Sequence, residues 1–329
     1  MSTRGTVVVT FPGFVPDDPA HSRLLRDAGM RIRFAPKTGA RSAVEVADLI
    51  GDAVAAIVST DPFDASVFAA CTRLRVLART GVGLDSIDLD AATAAGVVVT
   101  TAAGANDQAA ADHTLALMLA AVRRLVEFDA SVRRGEWPRD AASTAWDLDG
   151  ATVGIVGLGS IGRAVARRLR GFECSILAHD LVPTTMEGIE FVPLDELLGR
   201  SDVVTLHVPL NDSTQVLIGT RELAQLRAGA ILVNTSRGGV VDEVALFGAL
   251  ADGRLRAAAL DVFVDEPPRL SPLLGLPNVV LTPHIAGLST GSIAKMLRLA
   301  SRSILTVLDG GVPESVANPD VFAPLSTRN

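Results

Sequence analysis

The chain has 329 residues, 48% of them hydrophobic, a formal net charge of −7 and a pI near 5.3. That length suits two domains of ordinary size, and the apolar share is enough for two cores. The acidic balance argues against nucleic acid and anionic membranes as partners, and two distant cysteines, Cys71 and Cys174, exclude a disulfide framework or a zinc ribbon.

Thr6 to Phe11 reads as a strand, closed by the turn-forming Pro12-Gly13. Helix- and strand-length segments then alternate. Helices are expected at Pro19–Ala28, Val44–Ile50, Ala65–Ala70 and Leu89–Ala95, and strands at Arg31–Ala35, Ala55–Thr60, Arg75–Thr80 and Val97–Thr101. Apolar strand-length runs followed by helical segments indicate βαβ units around a buried parallel sheet. The first ten residues contain no long apolar h-region, and Leu115–Val122 is too short to span a membrane before it meets Arg123-Arg124. A cytoplasmic protein is the expectation.

Gly104-Ala105-Asn106-Asp107 breaks the pattern, and Asn106 or Asp107 suits an N-cap. One long helix is expected from Gln108 to Arg134, able to cross between domains and to offer a face to a second copy. Trp137 and Trp146 read as anchors for the segment behind it. A second βα series starts at Asp149-Gly150, with strands at Thr152–Gly157, Ser175–His179, Val203–Leu206, Ala230–Asn234, Ala257–Asp261 and Val279–Leu281. The last helix, Ser292–Leu308, is placed to return the chain to the first domain. The fold class is therefore α/β, two doubly wound parallel-sheet domains.

The strand at Thr152 runs directly into Gly157-Leu158-Gly159-Ser160-Ile161-Gly162 and then a helical Arg163–Arg170. This is GxGxxG in the context that gives it meaning. Gly157 permits a tight turn, Gly159 lets backbone approach a pyrophosphate, and Gly162 allows close helix–strand packing. First-turn N–H groups at Ser160 and Ile161 and the helix dipole then stabilise the phosphate charge. The next strand ends at Asp180, 18 residues beyond Gly162. A carboxylate there accepts ribose hydroxyls and repels a 2′-phosphate, which favours NAD over NADP.

Ligands of open α/β sheets sit outside the carboxyl ends of the strands. Three such ends carry Arg237, Glu266 and His284, within Thr235-Ser236-Arg237, Asp261–Pro268 and Thr282-Pro283-His284. Reduction of a 2-keto acid needs a cation that holds the carboxylate and polarises the carbonyl, which a guanidinium does. It also needs a proton donor, which an imidazole supplies, and a carboxylate that orients the ring and keeps it protonated. Taken singly, each residue has a plainer explanation as a surface pair or loop polarity. Asp265 rivals Glu266, and His207 is the runner-up base. His21 is expected to be solvated, and His113 to be packed and hydrogen-bonded within an apolar helix.

The segments NTSRGGVVDE, ALDVFVDEPP, TPHIAGLS, VGIVGLGSIGR and RTGVGLDSIDL resemble the D-isomer-specific 2-hydroxyacid dehydrogenase family, in the family's order and over nearly the whole chain. The resemblance implies a Rossmann NAD-binding domain, 105–287, inserted into a flavodoxin-like catalytic domain formed by 1–104 plus 288–329. It implies NAD as cofactor, a homodimer joined through the NAD-binding domain, and the three catalytic roles at Arg237, Glu266 and His284. By the same likeness, backbone at Val82 and Gly83 would receive the substrate carboxylate, and Val208, Thr235, Asp261 and Gly287 would line the cofactor beside Gly159–Ile161 and Asp180. Read from their own positions, Arg79 is a candidate anion contact nearby and His207, after its strand, is placed in the cofactor crevice. Asp112 stands where Glu is usual, and His179 where an aromatic is frequent. Ser59-Thr60-Asp61-Pro62-Phe63 carries an acid where phosphoglycerate-oxidising members tend to carry Arg, which weighs against a phosphorylated substrate. Two rivals stay open: an NAD-sensing binding protein of the same fold, and a phosphite or formate dehydrogenase, although a formate-type site pairs its His with Gln.

Overall fold

The computed structural model describes residues 4–140, 144–182 and 184–323. The chain forms two compact units, Met1–Asn106 with Leu288–Asn329, and Asp107–Gly287.

The first unit opens with β1 (Thr6–Val9), α1 (Pro19–Asp27), β2 (Arg31–Phe34), α2 (Ala43–Ile50), β3 (Ala55–Val58), α3 (Ala65–Ala70), β4 (Val76–Arg79), α4 (Leu89–Ala94) and β5 (Val98–Thr101). Its helices start where the sequence offers acceptors for orphan N–H groups. Asp18, Asp64 and Asp88 cap α1, α3 and α4, and Ser42 with Glu45 forms a capping box on α2. The strands pair in parallel in the order β2-β1-β3-β4-β5, the flavodoxin-like order. Val7, Ala55 and Val76 share one register line, and β1, β3 and β4 are buried on both faces, as a sheet covered by helices on each side requires.

The second unit contains α5 (Asp107–Val122), α6 (Leu125–Arg133), β6 (Thr152–Val156), α7 (Ser160–Leu169), β7 (Ser175–His179), β8 (Glu190–Phe191), α8 (Leu194–Arg200), β9 (Val203–Leu206), α9 (Thr220–Gln225), β10 (Ile231–Asn234), α10 (Glu243–Ala251), β11 (Ala257–Leu260) and β12 (Val279–Leu281). All seven strands are parallel, in the order β12-β11-β10-β9-β6-β7-β8. Strand order reverses at the β6/β9 boundary, so the ligand crevice of such a sheet opens there. One core cluster on each face covers the sheet, with Leu177, Leu206, Leu232 and Leu260 on one side and Ile155, Val203, Val233 and Ala259 on the other.

Helix α11 (Thr290–Leu308), capped by Ser289, belongs to the first unit and packs Met296, Leu297 and Ile304 onto its sheet. The chain behind it pairs with the edge of β5 through Thr101 N–H to Ser315 and Ala317 N–H to Val99.

Three expectations change. The single helix over 108–134 is two, because Arg124 adopts φ 53° and the Val122 carbonyl accepts Trp146 N–H at 3.2 Å instead of a helical donor. Trp146 is the anchor, with the Arg256 guanidinium 4.6 Å above its ring, whereas Trp137 is 74% exposed. His21 is not solvated: its Nδ1 accepts Val15 N–H at 2.9 Å, and its side chain is 9% exposed. Among the described residues, no helix is long and apolar enough to cross a membrane.

Candidate active site

The glycine turn after β6 shows why each glycine is needed. Gly157 sits at φ 92°, and a Cβ on it would meet the His207 carbonyl at 2.7 Å, so the ends of β6 and β9 touch through this residue. A Cβ on Gly162 would come within 2.1 Å of the Gly157 oxygen, whereas one on Gly159 would meet nothing within 4 Å. The middle glycine thus faces open space at the start of α7, where no side chain caps the first N–H groups. That is a cradle for a phosphate group. Asp180, at the end of β7, accepts Leu158 N–H at 2.7 Å and Val182 N–H at 3.2 Å, which fixes its carboxylate beside the turn with lone pairs left over. The residues present fit a dinucleotide with free ribose hydroxyls.

His207 follows β9. Its Nε2 lies 3.0 Å from Thr205 Oγ1, and burial pushes its imidazole down to about 4. Burial thus disfavours the charged form that a proton donor for keto-acid reduction would need. Val208 is the next residue at this strand end, with a methyl about 3.0 Å from the place of a Gly157 Cβ.

At the end of β10, Asn234 Oδ1 accepts Ser236 N–H at 3.0 Å and Ser236 Oγ at 2.8 Å, while its amide nitrogen donates to the Arg237 carbonyl at 2.9 Å. This Asx turn sets the direction of Arg237. Gly238 then packs so closely that an added Cβ would lie 1.9 Å from the Phe263 carbonyl carbon. The backbone carrying Arg237 and the loop carrying Glu266 are pressed together there. Glu243, at the start of α10, holds that loop from the other side, accepting Val264 N–H at 2.7 Å and Ser271 Oγ at 3.0 Å.

Glu266 reaches His284, whose Nδ1 is 2.7 Å from its Oε2. An ionised carboxylate only accepts, so Nδ1–H donates and Nε2 is left for a ligand. Burial works to raise the Glu266 carboxyl. The His284 hydrogen bond and charge, Phe263 N–H and the Arg237 charge outweigh it and hold the group below its ordinary range. Asp265 is exposed and stands aside from this pair.

His284 follows β12 at φ 55°, a left-handed conformation that costs free energy in a non-glycine residue. The buried Asp261 holds it there. The Asp261 carbonyl accepts His284 N–H at 2.7 Å, and its carboxylate accepts Ile285 N–H at 2.9 Å, Ala286 N–H at 2.8 Å and Thr282 Oγ1 at 2.6 Å. Gly287 ends this loop. His113 Nε2 stands 3.0 Å from Thr282 Oγ1, and the neighbouring Thr114 Oγ1 is 2.8 Å from Thr235 Oγ1.

The second unit thus gathers Arg237, Glu266 and His284, with the glycine turn, Asp180, His207, Val208, Thr235, Asp261 and Gly287, along the carboxyl edge of one sheet. Arg79, Val82 and Gly83 belong to the first unit, at the end of β4. Arg79 is 5% exposed and curls over Gly81, while Val82 is 43% exposed. Asp61 there points inward, taking Thr10 Oγ1 at 2.6 Å and Arg41 Nη1 at 3.0 Å. The contacts of Glu243, Thr282 and Arg41 were not anticipated, since nothing local marks them. His113 and Thr114 carried a faint signal, as polar residues inside an apolar helical run.

Residues 115–286 match the family model described as D-isomer specific 2-hydroxyacid dehydrogenase, NAD binding domain. A glyoxylate reductase of Korarchaeum cryptofilum is 44% identical over 270 residues, spanning 80% of this chain and 81% of that one. A D-3-phosphoglycerate dehydrogenase of Mycobacterium leprae is 43% identical over 277 residues, but the match takes in only 52% of that protein, so the chain spans about half of its length. The solved structure of a D-lactate dehydrogenase from Aquifex aeolicus, complexed with NAD and lactic acid, superposes with a TM-score of 0.84 at 27% identity, covering 95% of this chain and 99% of that one.

Proposed function

Because the chain belongs to the D-isomer specific 2-hydroxyacid dehydrogenase family, we propose that Arg237, Glu266 and His284 carry out its NAD-dependent reaction at C2 of a small 2-hydroxy or 2-keto acid. The observation that carries this reading is the 2.7 Å His284–Glu266 hydrogen bond beside Arg237, at the carboxyl edge of a sheet whose glycine turn fits a dinucleotide.

When bound, NADH supplies the hydride. The Arg237 fork holds the carboxylate of the keto acid and polarises its carbonyl. His284 Nε2 gives its proton to the oxygen as charge builds there, and in the oxidative direction takes the hydroxyl proton back. Glu266 keeps the ring in the tautomer that faces Nε2 outward and stabilises its charged form. The Gly159–Ile161 backbone holds the pyrophosphate, Asp180 the ribose, and His207, Val208, Thr235, Asp261 and Gly287 shape the remaining wall. Arg79, Val82 and Gly83 are proposed as the contribution of the first unit to substrate binding, supported by their place at a strand end of their own sheet.

Glyoxylate and hydroxypyruvate are the proposed substrates ahead of 3-phosphohydroxypyruvate. The Korarchaeum glyoxylate reductase is matched over most of both chains, and Arg41 is occupied by Asp61. NADH oxidation against these three acids tests the reading. Turnover that disappears in His284→Ala while NADH still binds is the expected result; unchanged turnover in the variant removes the assignment. The proposal includes a homodimer through the second unit, supported by Leu125, Val126 and Val132 of α6, each more than half exposed. Sedimentation as a monomer would remove that part. The cytoplasm is the proposed compartment, where the unpaired thiols of Cys71 and Cys174 stay reduced; recovery from an oxidising compartment on fractionation would revise it.

A further inference from the structure

Helix α5 is apolar along most of its length, with Ala111, Leu115, Leu117, Met118 and Val122 buried against the sheet and its neighbours. His113 and Thr114 interrupt that surface with two adjacent polar side chains, Thr114 fully buried. Burying a hydroxyl and an imidazole costs free energy unless each finds a partner, and two apolar residues would dock the helix with less penalty. The partners found are specific. His113 meets Thr282 at the end of β12, and Thr114 meets Thr235 at the end of β10. We propose that His113-Thr114 is a positioning pair, one turn of α5 that holds the strand ends carrying His284 and Arg237 in a common register. The proposal rests on the catalytic roles given to those two residues.

The direction of each hydrogen bond follows from counting protons. Asp261 is acceptor-only, so Thr282 spends its hydroxyl proton on Asp261 Oδ1 at 2.6 Å and offers lone pairs to His113. His113 Nε2–H therefore donates at 3.0 Å. The chain runs from imidazole to hydroxyl to carboxylate, and the same carboxylate takes the two backbone N–H groups that follow His284. On the other strand, Thr114 gives its proton to the Ala110 carbonyl at 2.7 Å, so Thr235 donates to Thr114. That bond fixes Thr235 two residues before Arg237. His113 thus reaches the loop of His284 through Thr282, with Asp261 Oδ1 itself 3.6 Å from its Nε2, and Thr114 reaches the strand end of Arg237 through Thr235.

His113→Leu, His113→Gln and Thr114→Val separate this from a general packing role. With glyoxylate and hydroxypyruvate, His113→Leu is expected to lower kcat by about tenfold with the Kd for NADH held within about twofold, because the proton donor is misplaced. His113→Gln, whose amide nitrogen reaches the position of Nε2, is expected to recover kcat to within about threefold. Thr114→Val acts on the Arg237 side, so its effect is expected mainly in KM for the keto acid. Equal kcat in the Leu and Gln variants overturns the proposal. Amide exchange at Ile285 and Ala286, read without substrate, supplies an arm that needs no turnover. It is expected to quicken in His113→Leu and not in His113→Gln, and unchanged exchange in the Leu variant also overturns the proposal. A wild type inert toward all three acids, with exchange responding as stated, sinks the functional reading and leaves the bracing intact.

Discussion

His284 spends Nδ1 on Glu266, which leaves Nε2 for the substrate contact we propose, so Glu266 governs how the ring is presented. The Glu266 carboxyl lies below its ordinary value of 4.5, which makes it fully ionised near pH 7. The sign of its contribution to stability follows. A depressed carboxyl favours the folded state above the unfolded value and loses that effect as pH falls through the lower folded value. Replacing Glu266 by Gln removes the charge while keeping the shape. A neutral amide no longer holds the ring as an acceptor-only carboxylate does, so kcat for keto-acid reduction at neutral pH is expected to fall roughly 10- to 100-fold. Steady-state kinetics on Glu266→Gln decide it, and an unchanged kcat would pass the role to the exposed Asp265.

At the scale of elements, what the sequence announced was whatever is local along the chain. Strands β3, β4, β9, β10 and β11 are short runs rich in Val, Leu, Ile and Ala and buried on both faces, and the candidate residues stand at or within a few residues of the ends of β4, β9, β10 and β11. The glycine turn is legible for the same reason, since a strand, three glycines and a helix are consecutive. Contacts that hold the loops of the candidate site are not consecutive. His113 and Thr282 are 169 residues apart, Thr114 and Thr235 are 121 apart, and no periodicity joins them. Glu243 reads as an ordinary first-turn acid of α10, and only folding reveals that both its oxygens tether the Glu266 loop. The break at Arg124 was hidden likewise, because the competitor for the end of α5 is Trp146, a residue in a later segment. Motif residues were thus readable where chemistry repeats in a fixed local order. Their supports were not, because tertiary contacts alone create them.

For the whole molecule, the decisive division is that each unit owns its core. Val9, Ile57, Ala78 and Leu297 fill one side of the first sheet, and Ile155, Leu177, Leu232 and Leu260 fill the second unit. Every candidate cofactor residue, from Gly157 to Gly287, lies in the second unit. A ligand that binds only folded protein stabilises the part that must be folded to bind it. NADH at a hundred times its Kd adds about 2.7 kcal/mol to that part. For a domain of about 150–250 residues this raises the midpoint by roughly 5–10 °C. Calorimetry with and without NADH is expected to show that shift in the transition assigned, by amide exchange, to β6, β7 and β9. The transition of the first unit should move less, because Val7, Ile57 and the α11 contacts gain no bound ligand. If both sets of strands rise together by the same amount, the units melt as one cooperative body and the separate-core argument fails. If neither rises, the glycine turn does not hold the cofactor.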